Sequence, residues 1–133
     1  IRSWYKYRSP ERLGMDDRHS TGGMSFDEYV LEVISDDPAP CAGIGQQFNF
    51  LTVKGETPVD HLFAYETQPL IRGFIEDRLG ITLNLKDKNV SPDIPAPISP
   101  EVEALLRKAR AEEFALYDRM MDAGGVLVSK IEA

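Results

Sequence analysis

Ser3, with Arg2 beside it, falls where a helix would begin in Ile1-Arg2-Ser3-Trp4-Tyr5-Lys6-Tyr7-Arg8. The first turn of a helix presents free N–H groups and a partial positive charge, which suit a phosphate, and a serine hydroxyl adds a donor. The same residue type also serves as a plain N-cap. The chain has two histidines. His19 lies in a charged stretch with Arg12, Asp16, Asp17 and Arg18, where it could act as a base, touch a substrate, or stay solvated as most loop side chains do. His61 alternates with Val59 and Leu62 and reads as structural. Asp16-Asp17 could ligate a metal, but paired carboxylates without further ligands read better as a solvated turn. Cys41 is the single cysteine, so it closes no internal disulfide, and it reads as a buried or bystander thiol. No GxxxxGK[ST], GxGxxG or HExxH motif occurs, and no residue is assigned as catalytic.

These residues have to be positioned by elements that the sequence sketches. A first helix over about 1–8 ends before Ser9-Pro10, because a residue preceding proline avoids the helical region. Residues 9–24, rich in glycine and charge, read as a loop. Ser25-Phe26-Asp27-Glu28 has the form of a capping box. Phe26, Tyr29, Val30, Val33 and Ile34 follow at helical spacing until Asp37-Pro38-Ala39-Pro40. Gln47–Val53 and Val59–Glu66 read as the strands of an antiparallel hairpin turning at Gly55 and Pro58, with Phe48 and Phe50 on one face. Pro69 opens a helix striped by Leu70, Ile71, Phe74, Ile75 and Leu79 and closed by Gly80. Residues 81–98 are extended. Ser99-Pro100 starts the longest helix, apolar at Val102, Leu105, Leu106, Ala109, Leu116, Tyr117 and Met120 and ending at Gly124-Gly125. Val126–Val128 forms a short last strand.

A chain of 133 residues is one domain long. Its net charge of −7 argues against generic binding to nucleic acid or anionic membrane. No apolar run approaches the ~20 residues of a membrane span, and a cytoplasmic location is the default expectation. The chain opens without a methionine and without a capping residue, as a helix entered partway would, so upstream residues are expected.

Taken in order, the motifs resemble the sulfotransferase family that uses 3′-phosphoadenosine 5′-phosphosulfate (PAPS). In that family a strand leads to an Arg-x-Pro-type motif, and a few residues later comes a serine at the start of a helix, often followed by an aromatic. The arginine and the serine grip the cofactor's 3′-phosphate. Ser3-Trp4-Tyr5 matches that serine, whereas Arg2 does not match the arginine, which would precede residue 1. Met24-Ser25-Phe26-Asp27-Glu28-Tyr29-Val30 follows. Phe48-Asn49-Phe50-Leu51 with Asp60-His61-Leu62-Phe63-Ala64-Tyr65-Glu66 is similar to the family's hairpin, and Phe74–Ile81 to its next helix. Asn89-Val90-Ser91, Ile98–Glu101 and Ala115-Leu116-Tyr117-Asp118 complete a run that covers nearly the whole chain.

The resemblance implies an α/β fold, P-loop-like, of which residues 1–133 form a single or partial domain: a mainly helical C-terminal portion with a β-hairpin. It implies transfer of a sulfuryl group from PAPS to a hydroxyl or amine, with Ser3 on the cofactor and no metal. The loop at 9–24, long and polar, becomes the acceptor-facing element, with Arg12, Arg18 and His19 as substrate contacts. The family's glycine-rich phosphosulfate loop and its catalytic base, Glu or His, are absent from these residues and would lie upstream. Glu66 corresponds to a structural glutamate. The expected partners are the nucleotide cosubstrate and a small-molecule or carbohydrate acceptor, not nucleic acid or membrane. Exposed apolar surface or a strand edge predicts dimerisation or segment exchange of the isolated chain. The alternative is a non-catalytic helical module that docks a partner through its apolar helix faces.

Overall fold

The computed structural model describes residues 1–54, 56–88 and 90–129. In chain order these form α1 (Arg2–Tyr7), α2 (Pro10–Leu13), α3 (Phe26–Val33), α4 (Gln47–Leu51), β1 (His61–Phe63), α5 (Gln68–Leu79), α6 (Pro100–Ala109), α7 (Ala111–Asp122) and β2 (Val126–Val128). The result is a mainly helical chain with a two-stranded antiparallel sheet. It divides into two compact units, Ile1–Gly45 with Lys88–Arg110, and Gln46–Asp87 with Ala111–Ala133. Gly55 and Asn89, used above as a turn residue and as part of a motif, lie outside the described residues.

Unit 1 is organised by α3. The Glu28 amide donates to Ser25 Oγ at 3.2 Å, and the Ser25 amide donates to Glu28 Oε2 at 2.6 Å, closing the capping box. The helix buries Phe26, Tyr29, Val30 and Val33. It packs against α1 and α6. The Tyr5 ring lies 5.2 Å from Phe26 and 5.4 Å from Tyr29, and α6 buries Val102 and Leu106. Each such side chain contributes roughly 1.5–3 kcal/mol of transfer free energy. Ser99 caps α6 through the Val102 amide, and its own amide donates to Asp27 Oδ1 at 2.9 Å, which ties the start of α6 to the first turn of α3. Tyr29 is fully buried, and among the described residues its hydroxyl has no hydrogen-bond partner. Burial pushes its phenol up to about 12.

Unit 2 holds the sheet. β1 and β2 pair His61 with Val128, Leu62 with Leu127 and Phe63 with Val126. The pairing is extended at one end by Ser129, whose amide donates to the Asp60 carbonyl at 2.9 Å, and at the other by the Ala64 amide on the Gly125 carbonyl at 2.9 Å. Phe74 of α5 packs on the sheet, 5.3 Å from Phe63 and 4.6 Å from His61. α7 packs on β2 and α4 and buries Leu116 and Met120. Gly125 has φ +95°, and a Cβ there would overlap the Thr67 side chain. Only glycine fits that approach.

Three sequence expectations are corrected. First, Gln47–Val53 does not pair with Val59–Glu66. Residues 47–51 are helical, and β1 pairs with β2 more than sixty positions away. Among the described residues, an isolated bridge from Val53 to Glu56 is what remains near the expected turn. Phe48 and Phe50 satisfy a period of two, but Phe48 and Leu51 equally satisfy a helical turn. A short segment cannot decide between them, and a lone hairpin is marginal without a covering strand. Second, the loop at 9–24 begins with α2. The Ser9-Pro10 pair that ends α1 also starts a new helix, with Ser9 as N-cap and Pro10 in the first turn. Third, the long C-terminal helix is interrupted at Arg110. Arg110, the C-cap of α6, leaves the helical region at φ −119° and ψ 33°. At ~100° per residue Val102, Leu106, Leu116 and Met120 fall within about 80° of one another, so the apolar stripe runs through the break and does not announce it.

Candidate functional site

The expected site residues all fall in unit 1. Ser3 is the second residue of α1, with Ile1 in the N-cap position. It is exposed, and its hydroxyl lies 3.4 Å from the hydroxyl of Ser91. The extended segment that carries Ser91 precedes α6, which α3 holds through Val102 and Leu106.

Three arginines of this unit are engaged with aromatic rings. Arg2 lies over Phe26 at 5.3 Å, Arg8 over Trp4 at 4.6 Å and Arg12 over Tyr7 at 3.8 Å. Trp4 and Tyr7 meet edge-on at 5.8 Å. The sequence Arg12–Tyr7–Trp4–Arg8 therefore forms one stack along α1 and α2, in which each guanidinium is attracted by the negative face of a ring. Arg8 is fixed further. Its Nη1 donates to the Cys41 carbonyl at 2.7 Å and to the Pro40 carbonyl at 3.4 Å. Cys41 itself is buried, and burial raises its thiol.

Arg18 and His19 form a second, separate group. Arg18 Nε donates to His19 Nε2 at 3.4 Å, and His19 Nδ1 lies 3.6 Å from Asp17 Oδ1. The His19 amide donates to the same carboxylate oxygen at 2.7 Å, so Asp17 shapes the turn. The loop is anchored to α1 by the Thr21 amide on the Arg8 carbonyl at 2.8 Å and by the Tyr5 hydroxyl on the Met24 carbonyl at 2.8 Å. Ser3, Arg12 and the Arg18–His19 pair thus have three different sets of partners. Among the described residues, no group of three His, Cys, Asp or Glu side chains could hold a metal ion. No described helix is long and apolar enough to cross a membrane.

Unit 2 carries a feature that sequence reasoning missed. A cleft of about 550 Å³ is walled by the rings of Phe50, Phe63, Tyr65 and Tyr117, with Glu66 as its one charged lining residue. Phe50 and Tyr65 are 85% and 82% exposed. Burial raises the Tyr117 phenol, and the nearby carboxylates of Glu66 and Asp118 add to the shift. The signal for this cleft was present as an excess of aromatics at 48–50 and 63–65, but their convergence depends on α4 being helical. His61, by contrast, packs against Phe63 and Phe74 as a structural residue.

Comparison of the chain with protein-family models, with curated proteins and with solved structures finds no match.

Proposed function

We propose that the chain is the C-terminal part of a PAPS-dependent sulfotransferase, a P-loop-like α/β enzyme, and that Ser3 supplies a hydroxyl to the 3′-phosphate of the donor. One observation carries the reading. Ser3-Trp4-Tyr5 and Asn89-Val90-Ser91 are two of the stretches that carry the resemblance, far apart in sequence, and their serine hydroxyls lie 3.4 Å apart on an exposed surface. Two adjacent hydroxyls offer donors to a phosphate, which takes several hydrogen bonds at once. The residues present fit only that part of the donor. Arg2 and Arg8 rest on aromatic rings, and no glycine-rich anion loop occurs in the sequence. The 5′-phosphosulfate and the catalytic base belong to upstream sequence.

In this reading the reaction is an in-line displacement. A bond forms from the acceptor oxygen or nitrogen to sulfur as the sulfur–oxygen bond to the 5′-phosphate breaks, and adenosine 3′,5′-bisphosphate leaves. A base takes the acceptor's proton, and N–H groups and cations stabilise charge on the departing oxygen. This chain's contribution is to hold the donor's 3′ end and to present the 9–24 loop, with Arg12, Arg18 and His19, toward the acceptor.

The test is turnover by the polypeptide expressed with its native upstream sequence, using ³⁵S-labelled PAPS and a panel of sugar, phenol and amine acceptors. Label is expected in an acceptor, with adenosine 3′,5′-bisphosphate released in equal amount. Failure of every acceptor, together with no thermal stabilisation by adenosine 3′,5′-bisphosphate, overturns the reading. A ligand at a hundred times its Kd stabilises by about 2.7 kcal/mol, so real binding cannot be missed.

A further inference from the structure

We infer that the cleft of unit 2 binds a small organic cation with an apolar body, of the aryl-alkylammonium kind. The inference uses residues of unit 2 alone and stands apart from the donor reading. The volume of about 550 Å³ lies within the ~300–1,000 Å³ of small-molecule sites. Leu62, Ile71 and Met120 line it together with the aromatic rings, so it takes an apolar body. Two features select a cation over a neutral ligand. Four aromatic rings face the cleft, and ring faces attract ammonium groups. Glu66, the one charged side chain among the lining residues, adds a carboxylate beside the rings.

The rest of the unit favours the same sign. Among its described residues ten are Asp or Glu and five are Lys or Arg, so cations are drawn toward it and anions repelled. One of those cations, Arg78, lies over Phe74 at 4.9 Å. Among the described residues no guanidinium lies over Phe50, Phe63, Tyr65 or Tyr117. The faces that a cation would use are thus not taken by the chain's own arginines.

The test titrates the full chain with benzyltrimethylammonium, following aromatic and Met methyl NMR signals, with benzyl alcohol and benzoate as neutral and anionic controls. The cation is expected to shift Phe50, Tyr65 and Met120 and to bind about tenfold more tightly than benzyl alcohol, a difference of about 1.4 kcal/mol. Glu66→Gln should weaken the cation about fivefold and leave benzyl alcohol unchanged, and Phe50→Ala and Tyr65→Ala should weaken it about threefold or more. All three positions are exposed, so the variants keep the fold, and unchanged melting curves check this. Equal affinity for the alcohol and the cation, no shift up to about 10 mM, or a Glu66→Gln variant that binds as well as the parent overturns the proposal. So does concentration-dependent sedimentation abolished by Phe50→Ala, which would assign the cleft to a second copy of the chain.

Discussion

Units 1 and 2 both bring aromatic side chains to the surface, and they treat them in opposite ways. In unit 1 the exposed rings of Trp4 and Tyr7 are each covered by a guanidinium of the same unit. The neighbouring apolar residues close into a core around Tyr29 and Val30. In unit 2 the rings of Phe50 and Tyr65 stay open beside a carboxylate, in a cleft large enough for a ligand. The difference separates structure from recognition. Cationic side chains laid on rings stabilise a local surface, whereas uncovered rings around one charge are a surface waiting for a partner.

The comparison breaks first on stability. Tyr29→Ala should cost about 3–5 kcal/mol, because the ring is fully buried, whereas Phe50→Ala should cost under about 0.5 kcal/mol. Trp4 is the single tryptophan and lies in unit 1, so its fluorescence in urea reports the first loss directly. Equal costs would mean that the cleft is part of a core. Next in size is Gly125→Ala in unit 2. The left-handed backbone and the overlap with Thr67 should together cost about 1–3 kcal/mol, read by far-UV circular dichroism.

Smaller effects sharpen the account of unit 1. Ser25→Ala should cost about 1 kcal/mol by opening the capping box. The same contact has a pH signature. Hydrogen bonds from Ser25 hold the Glu28 carboxyl below its ordinary 4.5. A carboxyl lowered on folding stabilises above its ordinary value and loses that contribution as pH falls through the folded value. The melting temperature should therefore fall more between pH 5 and 3 in the parent than in Glu28→Gln. The smallest effect is Tyr29→Phe, which removes an unpaired buried hydroxyl and should be within about 0.5 kcal/mol of neutral at pH 7. At high pH the sign is clear. The unfolded phenol loses its proton near ~10 while the folded one holds it to about 12, so the parent loses stability across that interval and the variant lacks that loss.

What the sequence disclosed and what it hid divide along the range of the interactions. Ser25 with Glu28, Ser99 with Pro100, and Gly80 at φ +64° act within one helical turn, and each was legible as a local pattern. The partner of β1 was not. Val126–Val128 was readable as a strand, but its choice of His61–Phe63 depends on α5 and α7 packing around the sheet, which no local window contains. The break at Arg110 left no local signal, because the apolar pattern runs through it on one helical face without proline or glycine. Of the candidate site, residue types at Ser3, Arg12, Arg18 and His19 were legible. Their separate partners, and the nearness of Ser91, required the fold.

The central claim is that Ser3 meets the 3′-phosphate of a PAPS-type donor, and calorimetry tests it most directly. The protein with its native upstream sequence is titrated with adenosine 3′,5′-bisphosphate and with adenosine 5′-monophosphate, alongside Ser3→Ala. The account predicts that the bisphosphate binds more tightly than the monophosphate, and that Ser3→Ala loses about tenfold or more for the bisphosphate alone, as expected for a hydrogen bond to a charged group. Identical affinities for the two nucleotides, or a Ser3→Ala variant that binds the bisphosphate as the parent does, would contradict it.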